Sequence, residues 1–407
     1  MKRIVLPWLG LALLLLAAPL VFPQSAALSL LSQMGTMVLL CLSYNMLLGE
    51  GGMLSFGHAV YSGLGAFGAI HLMNRMSEGA LAFPLTLVPL AGGLTGALCG
   101  VALGYPTTRR AGTTFAMITL GLVELVSACV LMLPEVFGGE GGISGNRVIG
   151  APVLGISYGP QIQVYYLIAG WLLVCAIAIC ALRHTPLGRI LNAVRDNPER
   201  AAFIGYDPQR VRYLALILSA FFAGVSGGLS AINFEIVSAE YVGALRSGAI
   251  LLFTFIGGTA YFYGPIVGGV VGVLFSSWLS AYTQAWQFYL GAFFILIVMT
   301  TPGGLASLID RGWRTWRDGA FDRRLVWRLA SWLLAALVTL AGVVLATEMA
   351  YQASLGSLAE GSDGAAPLQW WGGSIDVHAP LPWITAAMLI AAGATALTLW
   401  RRQGAGR

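Results

Sequence analysis

Residues 45–70 read NMLLGEGGMLSFGHAVYSGLGAFGAI. Seven of the 26 are glycine, and Glu50, Ser55 and His58 stand among apolar neighbours. Glycine inside a helix costs roughly 0.5–1 kcal/mol relative to alanine, so Gly49, Gly51 and Gly52 predict a helix that breaks here. Gly57, Gly63, Gly65 and Gly68 fit a following helix that approaches its neighbours closely, as small residues do in lipid. Packing alone does not account for the polar residues. Ionisable groups at bilayer depth are costly and usually face an interior passage, and a broken backbone is tolerated there only against protein or a water-filled cavity. The stretch is therefore expected to line or hinge a translocation path through Asn45, Glu50, Ser55, Gly57 and His58. A second place for Glu50, hydrated at the cytoplasmic mouth, stays open.

Outward from this stretch the chain has the composition of a membrane protein. Of 407 residues, 57% are hydrophobic and 10% charged, against about 25% charged in soluble domains. Continuous apolar runs of about 20 residues recur, long enough to cross a hydrocarbon core. They do not alternate as barrel strands would. The expected fold is an all-α polytopic membrane protein with about twelve spans, at 4–22, 26–48, 52–74, 81–104, 113–134, 161–183, 211–232, 243–262, 265–283, 285–302, 325–347 and 382–400. The opening MKRIVLPWLGLALLLLAAPLVF has a signal-peptide flavour, but its apolar run is long for one and helix parity requires it as a retained span. Cys41, Cys99, Cys129, Cys175 and Cys180 all lie in apolar runs without metal-ligand spacing, so no disulfide is expected.

Arginine bias gives the orientation. With Lys2 and Arg3 inside, alternation also places inside Arg109–Arg110, the arginine-rich loops 183–212 and 303–324, and Arg401–Arg402. The loops left outside, 135–160 and 348–381, carry Glu135, Glu140, Glu348, Glu360, Asp363 and Asp376 against Arg147 alone. Both termini are expected in the cytoplasm. The net charge of +5 belongs to these loops and does not indicate nucleic acid.

The loop RHTPLGRILNAVRDNPERAAFIGYDPQRVRYLALILSA, 183–220, holds its own signals. A helical piece over 187–194 is followed by Asp196 or Asn197 as a cap and Pro198 at the first helical position. A short helix, Glu199 to Ile204, closes at Gly205, and Tyr206-Asp207-Pro208 turns the chain back. The expected result is a compact helical element exposing Arg200, Phe203 and Tyr206 around an Ala201-Ala202 patch. It suits docking of another protein; anchoring on anionic membrane lipid is the plainer alternative.

At this loop the chain resembles the permease subunits of ABC-type importers for branched-chain amino acids, the LivM-like members especially. Glu199, Arg200, Ala201, Ala202, Phe203 and Gly205 stand where that family has the coupling helix that docks on an ATPase. NMLLGEGGMLSFGHA, 45–59, is similar to a family run at Asn45, Gly49, Gly52, Leu54, Ser55, Gly57 and His58. FIGGTAYFYGPIVGG, 255–269, matches at Gly257, Gly258, Gly264, Pro265 and Gly269, and GGEGGISG, 138–145, is similar to the glycine-rich loop after the fifth span. The resemblance covers residues 26–308 and implies a non-catalytic permease domain over 1–305. It also implies a second, LivH-like permease subunit or a homodimer partner, two cytoplasmic ATPase subunits holding ATP and Mg, and an extracytoplasmic solute-binding protein. It further implies a bacterial inner-membrane location, with no cofactor on this chain. Residues 306–407 depart from the pattern as an extension with an arginine-rich linker, two further spans and a loop LQWWGGSIDVHAPLPW whose Trp370, Trp371 and Trp383 read as interfacial anchors.

Other polar candidates are weaker. Glu124 lies deep in the fifth span and is a further path candidate. Arg246 and Ser247 open the eighth, where Arg246 is expected near the outer surface, free to snorkel, with binding of a substrate carboxylate as the lesser reading. No G-x-x-x-x-G-K-[ST] pattern occurs and Lys2 is the only lysine, so this chain has no P-loop for ATP. An ion-coupled secondary transporter of a small polar solute suits the helix count equally, but has no use for a capped docking helix. A membrane transferase would want paired acids or a His–Asp set at one interface, which is not visible.

Overall fold

The computed structural model describes residues 2–81, 83–148, 157–318, 323–358, 368–370, 373–375 and 379–405. The chain is helical in nearly all of them, and by contacts it divides into two units, residues 1–282 with 290–309, and 283–289 with 310–407.

The first unit contains α1 (Lys2–Val21), α2 (Ser25–Asn45), α3 (His58–Ser77), α4 (Val88–Thr107), α5 (Thr113–Met132), the short α6 (Pro134–Phe137), α7 (Gln161–His184), α8 (Pro186–Asp196), α9 (Pro198–Phe203), α10 (Pro208–Phe234), α11 (Ala244–Gly257) and α12 (Gly264–Val273). Next come α13 (Trp286–Thr300) and α14 (Gly304–Arg317), bent by 52° at the break between them. Among the described residues seven helical segments are long and apolar enough to cross a membrane, or eight with that bent pair as one span. The chain is thus an all-α multi-pass membrane protein.

Its centre is α10, the most buried of the long helices. Small residues make that possible: Ser226, Gly227, Gly228 and Ala231 are all buried, and α10 packs on α3, α4 and α2. The tightest approach is a meeting of three glycines. A Cβ on Gly65 of α3 would stand 2.5 Å from the Cα of Gly224 in α10 and 2.8 Å from the carbonyl of Gly92 in α4. Close backbone contact of this kind replaces the hydrophobic drive that lipid cannot supply.

Beyond α10 the chain returns through Glu235, held in a left-handed conformation (φ 57°). Two two-residue strands, β1 (Ile143–Ser144) and β2 (Ile236–Val237), pair antiparallel there, joining the glycine-rich 138–145 segment to the end of α10. Arg147 fastens the joint, donating from its backbone N–H to Glu235 (2.8 Å) and from its guanidinium to the carbonyls of Asn233 and Gly159.

In the second unit α15 (Arg323–Leu358) and α16 (Pro380–Ala405) lie against each other. Gly342 meets Ala386 and Ile390, and Gly393 meets Ala335 and Thr339. Glu348 accepts hydrogen bonds from Thr283 (2.6 Å) and Tyr289 (2.9 Å) of the 283–289 segment. A hairpin of β3 (Leu368–Trp370) and β4 (Gly373–Ile375) lies between the two helices in sequence. Glu360, Asp363, Trp371 and Asp376 lie outside the described residues.

Candidate functional site

The break in 45–70 is longer than its glycines alone indicate. α2 runs on as a wide π turn over Met46–Glu50, and residues 51–57 are not helical. The next helix begins at His58, not at 52. Gly52 takes φ +63°, and the backbone from Ser55 to Ala59 is held by polar groups of other segments rather than by helical bonds. Phe56 N–H donates to Thr119 Oγ1 (3.1 Å), Ala59 N–H to Ser247 Oγ (2.9 Å), and Tyr44 Oη to the carbonyl of Ser55 (3.0 Å). Gly57 caps α3 against α5, where a Cβ would stand 2.7 Å from the carbonyl of Thr119.

His58 sits at the centre, fully buried. Its Nε2 lies 2.9 Å from Ser43 Oγ, and the same hydroxyl donates to the carbonyl of Leu40 (2.7 Å). A hydroxyl has one proton to give, so a neutral imidazole here carries its own on Nε2. Nδ1 is then a bare acceptor, and it has no hydrogen-bond partner. Tyr44 and Tyr61 meet the ring edge-on at 5.2 and 6.1 Å. Asn45 Oδ1 and Tyr61 Oη are also buried without partners. Buried side-chain polar atoms are nearly always satisfied, so these unpaired atoms stand out, two of them on the neighbouring rings of His58 and Tyr61 and the third, Asn45, beside the Glu50 cleft.

Glu50 is not hydrated freely at a mouth. Its side chain is 14% exposed, paired with Arg183 Nε at 2.8 Å and with Asn192 Nδ2 at 2.6 Å. Arg195 donates to the carbonyl of Gly49. These three partners lie on α7 and α8, so the end of the broken helix is tied to the element beyond the membrane span. A narrow, mostly apolar cleft lined by Asn45, Glu50, Arg183, Leu187 and Leu191 opens beside the tie.

That element has the caps its sequence calls for. Asn197 Oδ1 accepts from Arg200 N–H (2.9 Å) and Asp207 Oδ1 from Gln209 N–H (2.9 Å). Gly205 closes α9 at φ +93°, with Gly205 N–H bonded to Ala202 O (2.9 Å) and Tyr206 N–H to Ala201 O (3.2 Å). Glu199, Arg200 and Ala202 are exposed, and Phe203 is 91% exposed beside Ile204 and Tyr206. Ala201 departs from the expected patch: it is buried, turned onto the Leu191–Val211 cluster, because adjacent residues of a helix face different sides.

Glu124 stands apart from the His58 group. It lies on the exposed face of α5, near Met117 (71% exposed) and Leu125 (58%). Ser43, Thr119, Arg183, Asn192 and Ser219, whose hydroxyl donates to the Ser43 carbonyl (2.7 Å), belong to the site but are not legible in sequence, since isolated Ser, Thr and Asn residues carry no motif. Arg183 gives a partial signal, as a charge at the end of a span three residues before a helix-opening proline.

Residues 26–300, well over half the chain, match the family described as branched-chain amino acid transport system / permease component. The chain belongs to that family. Among its relatives is the high-affinity branched-chain amino acid transport system permease protein LivM of Salmonella typhimurium, 29% identical over 67% of this chain and 68% of the relative. LivM of Escherichia coli K12 is 28% identical over the same shares. The LivH permease of Salmonella typhimurium is 22% identical over 66% of this chain and 91% of its own. No solved structure gives a significant match. The relatives are transport permeases and not enzymes, and the polar break, α8 and α9 all fall inside the family segment.

Proposed function

We propose that this chain is a membrane permease subunit of an ATP-driven importer, forming a path for branched-chain or related amino acids, with ATP and Mg held by separate cytoplasmic ATPase subunits that dock on α9. The observation carrying this reading is the tie between docking surface and break. Phe203, Ile204 and Tyr206 present apolar area on a rigid, doubly capped turn, and α8 beside it grips Glu50 and Gly49 through Asn192 and Arg195. A partner that moves α9 moves α8, and with it the Glu50 end of the broken helix, seven residues along from the Ser43 that touches His58. The orphaned Asn45, His58 and Tyr61 atoms supply the hydrogen-bonding capacity that a zwitterion leaving water needs.

In this reading residues 1–305 form the permease domain and 306–407 an added domain. The chain crosses the inner membrane about twelve times with both termini in the cytoplasm. It pairs with a LivH-like second permease subunit or a second copy of itself, and receives cargo from an extracytoplasmic binding protein. Co-purification tests it: the chain expressed with its partners should bring down an ATPase whose hydrolysis rises on addition of leucine-loaded binding protein. Recovery of the chain without any ATPase would refute it.

A further inference from the structure

Arg246 does not sit where its sequence suggests. Its neighbour Ser247 accepts from the N–H of Ala59 (2.9 Å), and α3 runs a further 18 residues from there to Ser77, about 27 Å along its axis. In the other direction Ser43, which touches His58, lies seven residues before Glu50, about 10 Å along the helix. Arg246 is thus inside the bilayer, at the level of the His58 group, and does not snorkel at the outer surface.

Its charge lacks a counterion among the described residues. Arg246 forms no ion pair with any described residue. Its Nε is buried with no hydrogen-bond acceptor, and the guanidinium is held over the Tyr241 ring at 4.1 Å. It also occupies the first turn of α11, whose earliest intrahelical-type bond is Ser247 N–H to Gly243 O (3.2 Å). The preceding N–H groups of Ala244, Leu245 and Arg246 are open, as in any first turn. A helix N-terminus is itself positive, so placing an arginine there adds like charge to like at a depth where an unpaired ion is costly. α11 is 14 residues long, about 21 Å and short of a full crossing, and the bond from Ala59 to Ser247 sets its positive end at the level of the break. An anion is the missing component, and half-helix N-termini at such depth are what transporters aim at anionic groups of their cargo.

We propose that Arg246, held by Tyr241 and aided by the open N–H groups of the α11 first turn, binds the α-carboxylate of the transported amino acid during passage. The assignment rests on the transport reading above. Another source of the same chemistry is a carboxylate of the second permease subunit, and the test separates the two.

The measurement is ATP-dependent leucine uptake into proteoliposomes holding the complex purified with its own partner subunits. If wild-type complex takes up no leucine, the transport reading fails and the cargo assignment with it. With wild type active, Arg246→Gln should lower uptake at least tenfold, with subunit stoichiometry and basal ATP hydrolysis unchanged. Arg246→Lys, which keeps the charge, should retain intermediate uptake. Uptake by Arg246→Gln within twofold of wild type would overturn the proposal, as would equal loss in both variants, which assigns the position to packing. Loss of the second permease subunit from the Arg246→Gln complex would place the carboxylate on that subunit and overturn the cargo assignment.

Discussion

His58 shows how a residue in the break is built for chemistry and not for packing alone. It is enclosed, bonded on one nitrogen to Ser43 and bare on the other. His58→Leu keeps bulk and removes polarity. It should lower leucine uptake at least tenfold while the complex assembles at normal yield; uptake near wild type would make His58 structural. Gly57→Leu is the contrasting change. Its Cβ would meet the Thr119 carbonyl at 2.7 Å, and overpacking of this kind costs about 1–3 kcal/mol, so it should lower the yield of folded protein itself. At this scale the sequence is partly legible. Glycine punctuation and stray polar residues point to 45–58, and the structure brings Ser55, Gly57 and His58 together, with Asn45 turned to the cleft beside Glu50. Position along its apolar run does not reveal that Arg246 stands beside the break, where its neighbour Ser247 accepts from the N–H of Ala59. Ser43 and Ser219 escape notice because a serine that bonds across helices, as Ser219 does to the Ser43 carbonyl, is indistinguishable in sequence from one that bonds its own backbone, as Ser62 does to Ala59.

Among the elements, α8 and α9 are the most legible, since caps are local. Asn197, Pro198, Gly205 and Asp207 each act on backbone within a few residues. Gly205→Val puts a β-branched residue at φ +93°, a strain of about 1–3 kcal/mol. The variant should insert normally but lose ATPase association or stimulated hydrolysis, by tenfold or more; wild-type transport would remove the docking role from α9. What sequence cannot supply is the long-range tie between this element and the break, because Glu50 and Arg183 are separated by four helices. Glu50→Arg and Arg183→Glu should each cut leucine uptake, and the swapped pair should recover part of it. Paired residues of this kind couple by roughly 0.5–3 kcal/mol in double-mutant cycles. Strictly additive losses in the swap would show that the pair does not transmit anything.

For the molecule as a whole, helix parity and arginine bias make a testable topology. In a cysteine-free background, single cysteines replacing Asn197 and Ser362 should label from opposite sides with an impermeant reagent. Labelling of both from outside would contradict the assignment. Composition makes the membrane class legible, and hydropathy locates each run, but not which runs become full spans: 243–262 contains only the half-length α11. In the proposed function, opening of the path through α9 draws its energy from ATP hydrolysed on another subunit. The most direct measurement is leucine uptake by the reconstituted complex with and without internal ATP, in the absence of any ion gradient, for wild type and for Phe203→Glu. Uptake should require ATP and fall at least tenfold in Phe203→Glu. Uptake that persists without ATP and follows an imposed proton or sodium gradient would contradict the proposed function.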